Sequence, residues 1–140
     1  MRTYPIRTPR LIQQVFPNWI WRGTEKEKII YLTFDDGPTP EITDWTLEQL
    51  SIYDAKATFF CIGKNMKTHP ALVSNILKSV HTVVNHTYDH DKGWKTTSAD
   101  YLKSVTKTQS LIDEIKANLV TDKVSTNRTY FRHHYGKIRL

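Results

Sequence analysis

The sequence predicts an α/β fold with parallel strands, and two observations carry that prediction. Strand-like apolar runs alternate with helix-like stretches along most of the 140 residues, in the order strand, helix, strand, helix, strand, helix, strand. Polar side chains directly follow three of the four strand-like runs. Because parallel strands end at a common edge, we expect these polar side chains to lie together on one rim of the sheet.

The first half of the predicted domain contains two strands and a helix. Residues Ile29 to Phe34 form a short run of β-branched and aromatic residues, which is typical of a buried strand. Thr39 is predicted to cap a helix, with Pro40 at its first position and Glu41 in its first turn. The buried face of this helix would comprise Ile42, Trp45, Thr46 and Leu50. Residues Ala57 to Ile62 form the next predicted strand.

The second half continues the alternation. The dipeptide His69-Pro70 opens a second helix, whose apolar residues at helical spacing are Leu72, Val73, Ile76 and Leu77. Residues His81 to Val84 form a short strand. Ser98 or Thr97 is predicted to cap a long helix, whose recurring apolar residues are Tyr101, Val105, Ile112, Ile115 and Leu119. Residues Thr129 to Phe131 form the last predicted strand.

Composition places the chain among globular proteins and names no partner. The formal charge is +6, but the basic residues are spread along the chain without a block of like charges. A nucleic-acid binder is suggested by this charge alone, without any motif, so we expect no nucleic-acid partner. The single cysteine, Cys61, follows an apolar run and is interpreted as a buried structural thiol.

The N-terminal segment is predicted to be an arm over residues 1–26, followed by one domain over residues 27–140. The arm contains neither a continuous apolar core nor a small-residue cleavage site, so the sequence predicts no signal peptide. No stretch approaches the roughly 18 apolar residues of a spanning helix, so no transmembrane segment is expected. On these grounds the sequence alone indicates the cytoplasm but leaves the location open. Separately, we expect a monomer.

Two adjacent carboxylates, Asp35 and Asp36, end the first predicted strand in the sequence IIYLTFDDGP. Neighbouring carboxylates repel each other, and their burial is costly unless a cation lies beside them. The pair therefore predicts either a solvated turn or a cation site.

Histidines at i, i+4 spacing, His86 and His90, could face one metal ion. The residue after the first histidine is Thr87, which cannot act as a general base, so Asp35 or Asp36 would have to supply one. Two imidazoles and one carboxylate leave a coordination position open, as in catalytic zinc sites. The same ligand set occurs in non-haem iron oxygenases, but a second adjacent carboxylate is not needed there.

Three segments, TFDDGP, HTYDH and RHHYG, resemble the first three motifs of the polysaccharide deacetylases, the NodB-homology domain of carbohydrate esterase family four. The stretch ATFFCIGKNMKTHPALV is similar to the family's sequence between its first two motifs. The resemblance runs from about Ile29 to Leu140, and it implies a distorted (β/α) barrel.

The resemblance also implies a role for each matching residue. Asp35 would be the general base, and Asp36, His86 and His90 would bind one divalent metal ion, usually zinc. Arg132 would pair with the base, and the Tyr135 N–H would bind the oxyanion. Thr87 would either orient a ligand or serve as a local cap. The implied substrates are N-acetylated sugar polymers, such as peptidoglycan or chitin-like chains, which lose acetate and retain a free amine.

Some positions depart from the family pattern. His133 and His134 stand where prolines are usual, and Val80 and Val84 stand where glycines are usual. The family's last two motifs, an Asp/Trp segment and a Leu-x-His, are not found before Leu140. We therefore expect an incomplete barrel, truncated at its C-terminus. The alternative to an active deacetylase is a catalytically impaired remnant that keeps a metal or carbohydrate-binding site.

Overall fold

A computed structural model of the chain describes residues 8–21, 28–119 and 130–132. The chain divides into two compact units after Tyr31. In the first unit, the short helix α1 spans Arg10–Val15. Phe16 stacks on Trp19 with ring centroids 4.6 Å apart, and Trp19 stacks on Trp21 at 5.4 Å. The predicted boundary at residues 26 and 27 lies outside the described residues and stays a prediction.

The second unit confirms the predicted α/β class. Its elements are β1 Leu32–Gly37, α2 Ile42–Ile52, β2 Ala57–Cys61, α3 Gly63–Thr68, α4 Pro70–Lys78, β3 Thr82–Asn85 and α5 Ser98–Ala117. The three strands form one parallel sheet in the order β1-β2-β3. Phe131 adds a single parallel bridge to Asn85, at the place where the fourth strand was predicted; Thr129 lies outside the described residues. None of the described helices is both long and apolar enough to cross a membrane.

The core lies between the sheet and its helices. Cys61 in β2, Met66 in α3 and Val73 in α4 are fully buried, and Ile112 of α5 is almost so. Of the four apolar residues at helical spacing in α4, Val73, Ile76 and Leu77 are buried and Leu72 is half-buried. Helices α4 and α5 contact each other and β3. They therefore fix the carboxyl end of β3, which leads directly into the HTYDH motif.

The first strand is displaced and more exposed than predicted. It begins at Leu32 rather than Ile29 and continues to Gly37. Leu32 and Phe34 are 38% and 36% exposed, and Ile30 is 83% exposed. The prediction of a buried strand was wrong because, within the described residues, β1 forms the edge of the sheet and pairs only with β2.

The helix after β1 also differs from its prediction. It begins at Ile42, with Glu41 in the N-cap position and no side-chain cap. The Thr39 N–H instead donates to the Thr43 hydroxyl at 2.8 Å. The buried residues of α2 are Thr43, Thr46 and Leu50, whereas the predicted core residues Ile42 and Trp45 are 65% and 61% exposed. The helix is therefore rotated relative to the face predicted from its most apolar residues.

Helices α2 and α4 end in the same hydrogen-bonded turn. At the end of α4, the Val80 N–H donates to Leu77 O at 3.0 Å and the His81 N–H to Ile76 O at 3.2 Å. This is the Schellman arrangement, whose residue after the cap is left-handed and usually glycine. Val80 occupies that position with φ 60°. The glycine that is usual in the family at the position of Val80 therefore has a structural reason in this turn. Val84, the other position where a glycine is usual, lies buried within β3.

Candidate metal centre

The rim formed by the strand ends gathers the polar motifs, as the parallel arrangement predicted. Asp35 and Asp36 lie near the carboxyl end of β1, His86 follows β3, and Arg132 follows the Phe131 bridge. Of the sequence-predicted site residues, Tyr135 lies outside the described residues, as do His133 and His134.

A bulge in β1 separates the surroundings of the two carboxylates. Asp35 pairs with Phe60 and Gly37 with Cys61, so Asp36 is the extra residue between two registered pairs. Its φ of 67° is left-handed, a conformation that aspartate tolerates better than most residues. The Asn65 amide donates to the Asp36 carbonyl at 2.9 Å and supports this backbone turn. Bulges re-aim side chains, which explains how adjacent aspartates reach different partners.

The His86 ring is buried and held by a main-chain acceptor. Its side chain is 3% exposed, and Nδ1 lies 2.8 Å from the carbonyl oxygen of Arg132. A carbonyl oxygen can only accept, so Nδ1 carries the hydrogen and donates it. In the neutral ring this leaves the lone pair on Nε2, which is the nitrogen that faces Asp36. A hydrogen bond at the far nitrogen is the usual way in which proteins orient a metal-binding histidine.

Burial lowers the pKa of His86 below its ordinary value of 6.5. The hydrogen bond to Arg132 and the charges of Asp35 and Asp36 raise it, but they do not outweigh the loss of solvation. His86 is therefore neutral at neutral pH, which is the form of imidazole that binds metal ions.

The three candidate ligands fit one metal ion. Asp36 Oδ1 lies 3.5 Å from His86 Nε2 and 3.1 Å from His90 Nε2, and one ligand atom from each residue lies within 4.8 Å of the others. Two ligands at about 2.1 Å from a tetrahedral ion lie roughly 3.4 Å apart. The two separations measured from Asp36 are near that value, and the three ligand atoms lie within 4.8 Å of one another, so these donors suit a small divalent ion.

The second carboxylate is held by a guanidinium instead. Arg132 Nη1 donates to Asp35 Oδ1 at 2.8 Å and lies 3.3 Å from the Thr33 hydroxyl. The guanidinium carbon lies 3.7 Å from the centre of the Phe60 ring, so the group is also stacked. Stacking and charge pairing together fix the plane of the guanidinium. They therefore fix the orientation of the Asp35 carboxylate beside the metal-ligand cluster.

The loop between the histidines is closed by Thr87. This residue is fully buried with φ 59°, and its hydroxyl accepts from the Asp91 N–H at 3.1 Å. Its own N–H donates to Asn85 Oδ1 at 3.1 Å. His90 follows with φ 60°, so the i, i+4 spacing is spanned by a hydrogen-bonded turn rather than the helix turn that the spacing suggests.

Two residues that support this loop were missed from the sequence. Asn85 is 2% exposed, and its side chain donates to the Val105 carbonyl at 2.8 Å. Ser104 lies on the inner face of α5 and contacts Tyr88 and Asp91. In the sequence, Asn85 is recognisable as a polar residue at the end of an apolar strand. Ser104 is recognisable as a polar residue among the apolar residues that recur along the helix.

An Asp-His-His cluster beside an arginine-paired carboxylate, at the carboxyl end of a parallel sheet, has the donor set of a hydrolytic metal site. The family model for polysaccharide deacetylase matches residues 22–139, and the chain belongs to that family. A relative from Bacillus cereus, a peptidoglycan-N-acetylglucosamine deacetylase, is 47% identical over 70 residues, which cover 50% of this chain and 33% of the relative.

Solved structures of the family share the fold. A mutant of BA3943, described as a CE4 family pseudoenzyme with restored enzymatic activity, matches with a TM-score of 0.69 and 31% identity, covering 86% of this chain and 41% of that one. A family 4 acetyl xylan esterase from Clostridium thermocellum, in complex with a cobalt ion, matches with a TM-score of 0.58 and 31% identity, covering 65% and 45%. The chain thus spans less than half of these structures and about a third of the curated relative.

Proposed function

We propose that this chain carries the metal-binding site of a hydrolase that removes N-acetyl groups from amino-sugar polymers. The observation that carries the proposal is the Asp36, His86 and His90 cluster beside Asp35 and its arginine partner. The family membership supports the reaction class, and the activity of the Bacillus cereus relative, a peptidoglycan-N-acetylglucosamine deacetylase, supports peptidoglycan as substrate. A chitin-like polymer, with the same N-acetyl group, is the other substrate that we propose.

Asp36, His86 and His90 would hold one divalent ion, which we propose to be zinc. When bound, such an ion supplies Lewis-acid polarisation of the acetyl carbonyl and acidifies water at its open position. The donor set itself, one carboxylate oxygen and two imidazole nitrogens, suits zinc. The cobalt ion in the Clostridium thermocellum esterase supports a divalent ion in this family.

Asp35 is the proposed general base. Its carboxylate is kept in place by Arg132 at 2.8 Å, and neither residue belongs to the candidate ligand cluster. Asp35 would accept a proton from the water that attacks the acetyl carbon. The C–N bond then breaks as the leaving nitrogen takes up the proton that Asp35 accepted, so that acetate and the free amine of the sugar are released and Asp35 is again a carboxylate. The Tyr135 N–H is proposed to donate to the developing oxyanion.

Replacing Asp36 tests the metal ligands. We expect Asp36→Ala to abolish zinc binding, measured by titration calorimetry on the metal-free chain, because the cluster loses its only carboxylate. Asp89→Ala is the matched control, since Asp89 lies between the two histidines and is exposed; it should bind zinc as the unaltered chain does. Equal zinc affinity in the Asp36 and Asp89 variants would show that the ligand set is wrong.

Replacing Asp35 separates the base from the ligands. Asp35→Asn keeps the size of the side chain, so zinc should still bind, whereas acetate release from an N-acetylated chito-oligomer should fall by about 100-fold or more. Activity unchanged in this variant would exclude Asp35 as the base. Zinc binding without acetate release by the unaltered chain would favour the alternative, a catalytically impaired remnant, for which the likeness to a pseudoenzyme is the supporting observation.

A further inference from the structure

The two candidate metal-binding histidines are held in different ways. His86 follows β3 directly, is 3% exposed, and is tied through Nδ1 to the Arg132 carbonyl. His90 is 30% exposed, and it lies in an irregular segment with φ 60°. A left-handed backbone at a residue other than glycine persists when surrounding contacts impose it. The position of His90 therefore depends on the contacts that hold the loop over residues 87–91.

One side of this loop is held by main-chain groups of α3. The Gly63 N–H donates to the Thr87 carbonyl and the Lys64 N–H to the Tyr88 carbonyl, both at 2.9 Å. These bonds hold the beginning of the loop, two residues or more before His90. Main-chain bonds survive most side-chain substitutions, so they maintain the loop even when other contacts are removed.

On the other side of the loop, a hydroxyl on α5 contacts two loop residues. Ser104 Oγ accepts from the Tyr88 N–H at 2.8 Å and donates to the carboxylate of Asp91. The Asp91 N–H in turn donates to the Thr87 hydroxyl at 3.1 Å. Tyr88 and Asp91 lie on either side of His90 in the chain, so Ser104 bridges the segment that carries the second imidazole.

We propose that Ser104 and Asp91 are positioning residues that set the distance of His90 from Asp36 and thereby the metal affinity of the site. The proposal rests on the proposed function, since it requires Asp36, His86 and His90 to share an ion. Without the bridge, the loop would lose two hydrogen bonds to α5 on either side of His90, whereas His86 would keep its bond to the Arg132 carbonyl. The observed 3.1 Å between His90 Nε2 and Asp36 Oδ1 would then no longer be imposed before the metal arrives.

The test compares two serines on one helix. Ser104→Ala removes the bridge, whereas Ser110→Ala removes an exposed hydroxyl that donates only to Thr106 O along the same helix. We expect zinc affinity to fall about tenfold in Ser104→Ala, in line with the cost of losing outer contacts of a metal site, and to be unchanged in Ser110→Ala. Ser104→Thr, which keeps a hydroxyl, should restore most of the affinity.

Two further readouts distinguish positioning from a general loss of stability. The visible absorption spectrum of the Co²⁺-loaded chain should change in Ser104→Ala and not in Ser110→Ala, because it reports ligand geometry. In addition, Asp91→Ala should weaken zinc binding by a similar factor, and the Ser104→Ala/Asp91→Ala double variant should be no weaker than either single variant.

The outcomes separate the two proposals. Zinc binding by the unaltered chain, with equal affinity and an equal Co²⁺ spectrum in Ser104→Ala, would overturn the positioning role and leave the metal site standing. Additive losses in the double variant would also overturn it, since the two residues would then act independently. Failure of the unaltered chain to bind zinc would overturn the proposed function itself, and the positioning role with it.

Discussion

Asp35 and Asp36 are neighbours in sequence, yet they contact different groups. Asp35 is registered against Phe60 and bound to Arg132, whereas Asp36 occupies the bulge and faces two imidazoles. From the residues alone, the pair predicted either a solvated turn or a cation site, because adjacent carboxylates repel each other. The resemblance implied separate partners, Arg132 for Asp35 and a metal ion for Asp36. The bulge that re-aims Asp36 was not predicted, because it depends on strand register and not on a recognisable turn motif.

At the residue scale, substitution of Val80 tests how much its left-handed backbone lowers the stability of the fold. We expect Val80→Gly to raise the free energy of unfolding by about 1 kcal/mol, because glycine removes the cost of a β-branched residue at positive φ. Val80 is half exposed, so little packing is lost. Urea denaturation with an unchanged m-value would measure the gain.

Asp54 provides the matched comparison for Val80. It occupies the equivalent position after α2, with φ 45°, and Ala55 N–H donates to Leu50 O at 2.8 Å. Because aspartate tolerates the left-handed region better than valine, Asp54→Gly should stabilise less than Val80→Gly. A destabilised Val80→Gly variant would mean that strain at this turn is not what limits stability.

At the scale of elements, the sequence predicted which segments form helices and strands better than it predicted their burial. The spacing in α4 gave both its existence and its buried face. In β1 and α2 the same apolar signals marked residues that are exposed, such as Ile42 and Trp45. Burial depends on which elements lie opposite, and local spacing carries no information on that. The short helix α3 was missed because its six residues are too few to show a period.

The candidate site was also predicted only in part: its motif residues were predicted, and the residues that support them were not. Motif residues at strand ends were predicted to converge, and Asp36, His86 and His90 do lie together, because a parallel sheet brings the ends of its strands to one rim. The supports of the site, Asn85 and Ser104, were not predicted. The bond from Asn85 to the Val105 carbonyl joins residues 20 positions apart, and the bonds of Ser104 to Tyr88 and Asp91 join residues 16 and 13 positions apart. No local pattern encodes such pairings.

The contact between α3 and the histidine loop requires glycine. A Cβ on Gly63 would lie 2.5 Å from Thr108 Oγ1 and 2.6 Å from Tyr88 Cδ2. We therefore expect Gly63→Ala to lower the free energy of unfolding by about 1–3 kcal/mol, the usual cost of overpacking a close contact. Thermal or urea denaturation would measure the loss.

Gly93→Ala is the control for this contact. Its added Cβ would come no closer than 3.4 Å to the Tyr101 ring, which is ordinary contact, so its stability should change little. Equal stability of the Gly63 and Gly93 variants would show that α3 and the loop can separate without cost.

At the scale of the whole molecule, Cys61 reports on the integrity of the fold. It is the only cysteine, is fully buried in the central strand β2, and burial raises its pKa from 9.0 to about 12. The folded state therefore keeps a proton that the unfolded state loses above pH 9. The contribution of this thiol to stability is complete below pH 9 and is lost as the pH rises towards 12.

The rate of thiol labelling measures how well Cys61 is buried. At pH 8 a disulfide reagent should react with the folded chain at least about a hundredfold more slowly than with the urea-unfolded chain, because reaction requires opening of the sheet. The labelling rate should follow the unfolded fraction across a urea titration. Rapid labelling without urea would show that β2 is accessible in the folded state.

Arg132 serves the site through two chemically separate parts. Its guanidinium binds Asp35, whereas its main-chain carbonyl accepts from His86. Every amino acid has this main-chain carbonyl. A substitution of Arg132 would therefore remove the contact with Asp35 and keep the carbonyl that accepts from His86. In evolutionary terms, and under the proposed function, one substitution at this position would remove the partner of the proposed base and leave the main-chain acceptor of His86 in place. A descendant that keeps the candidate metal ligands and loses the proposed catalytic pair is therefore one mutational step away from the arrangement seen here.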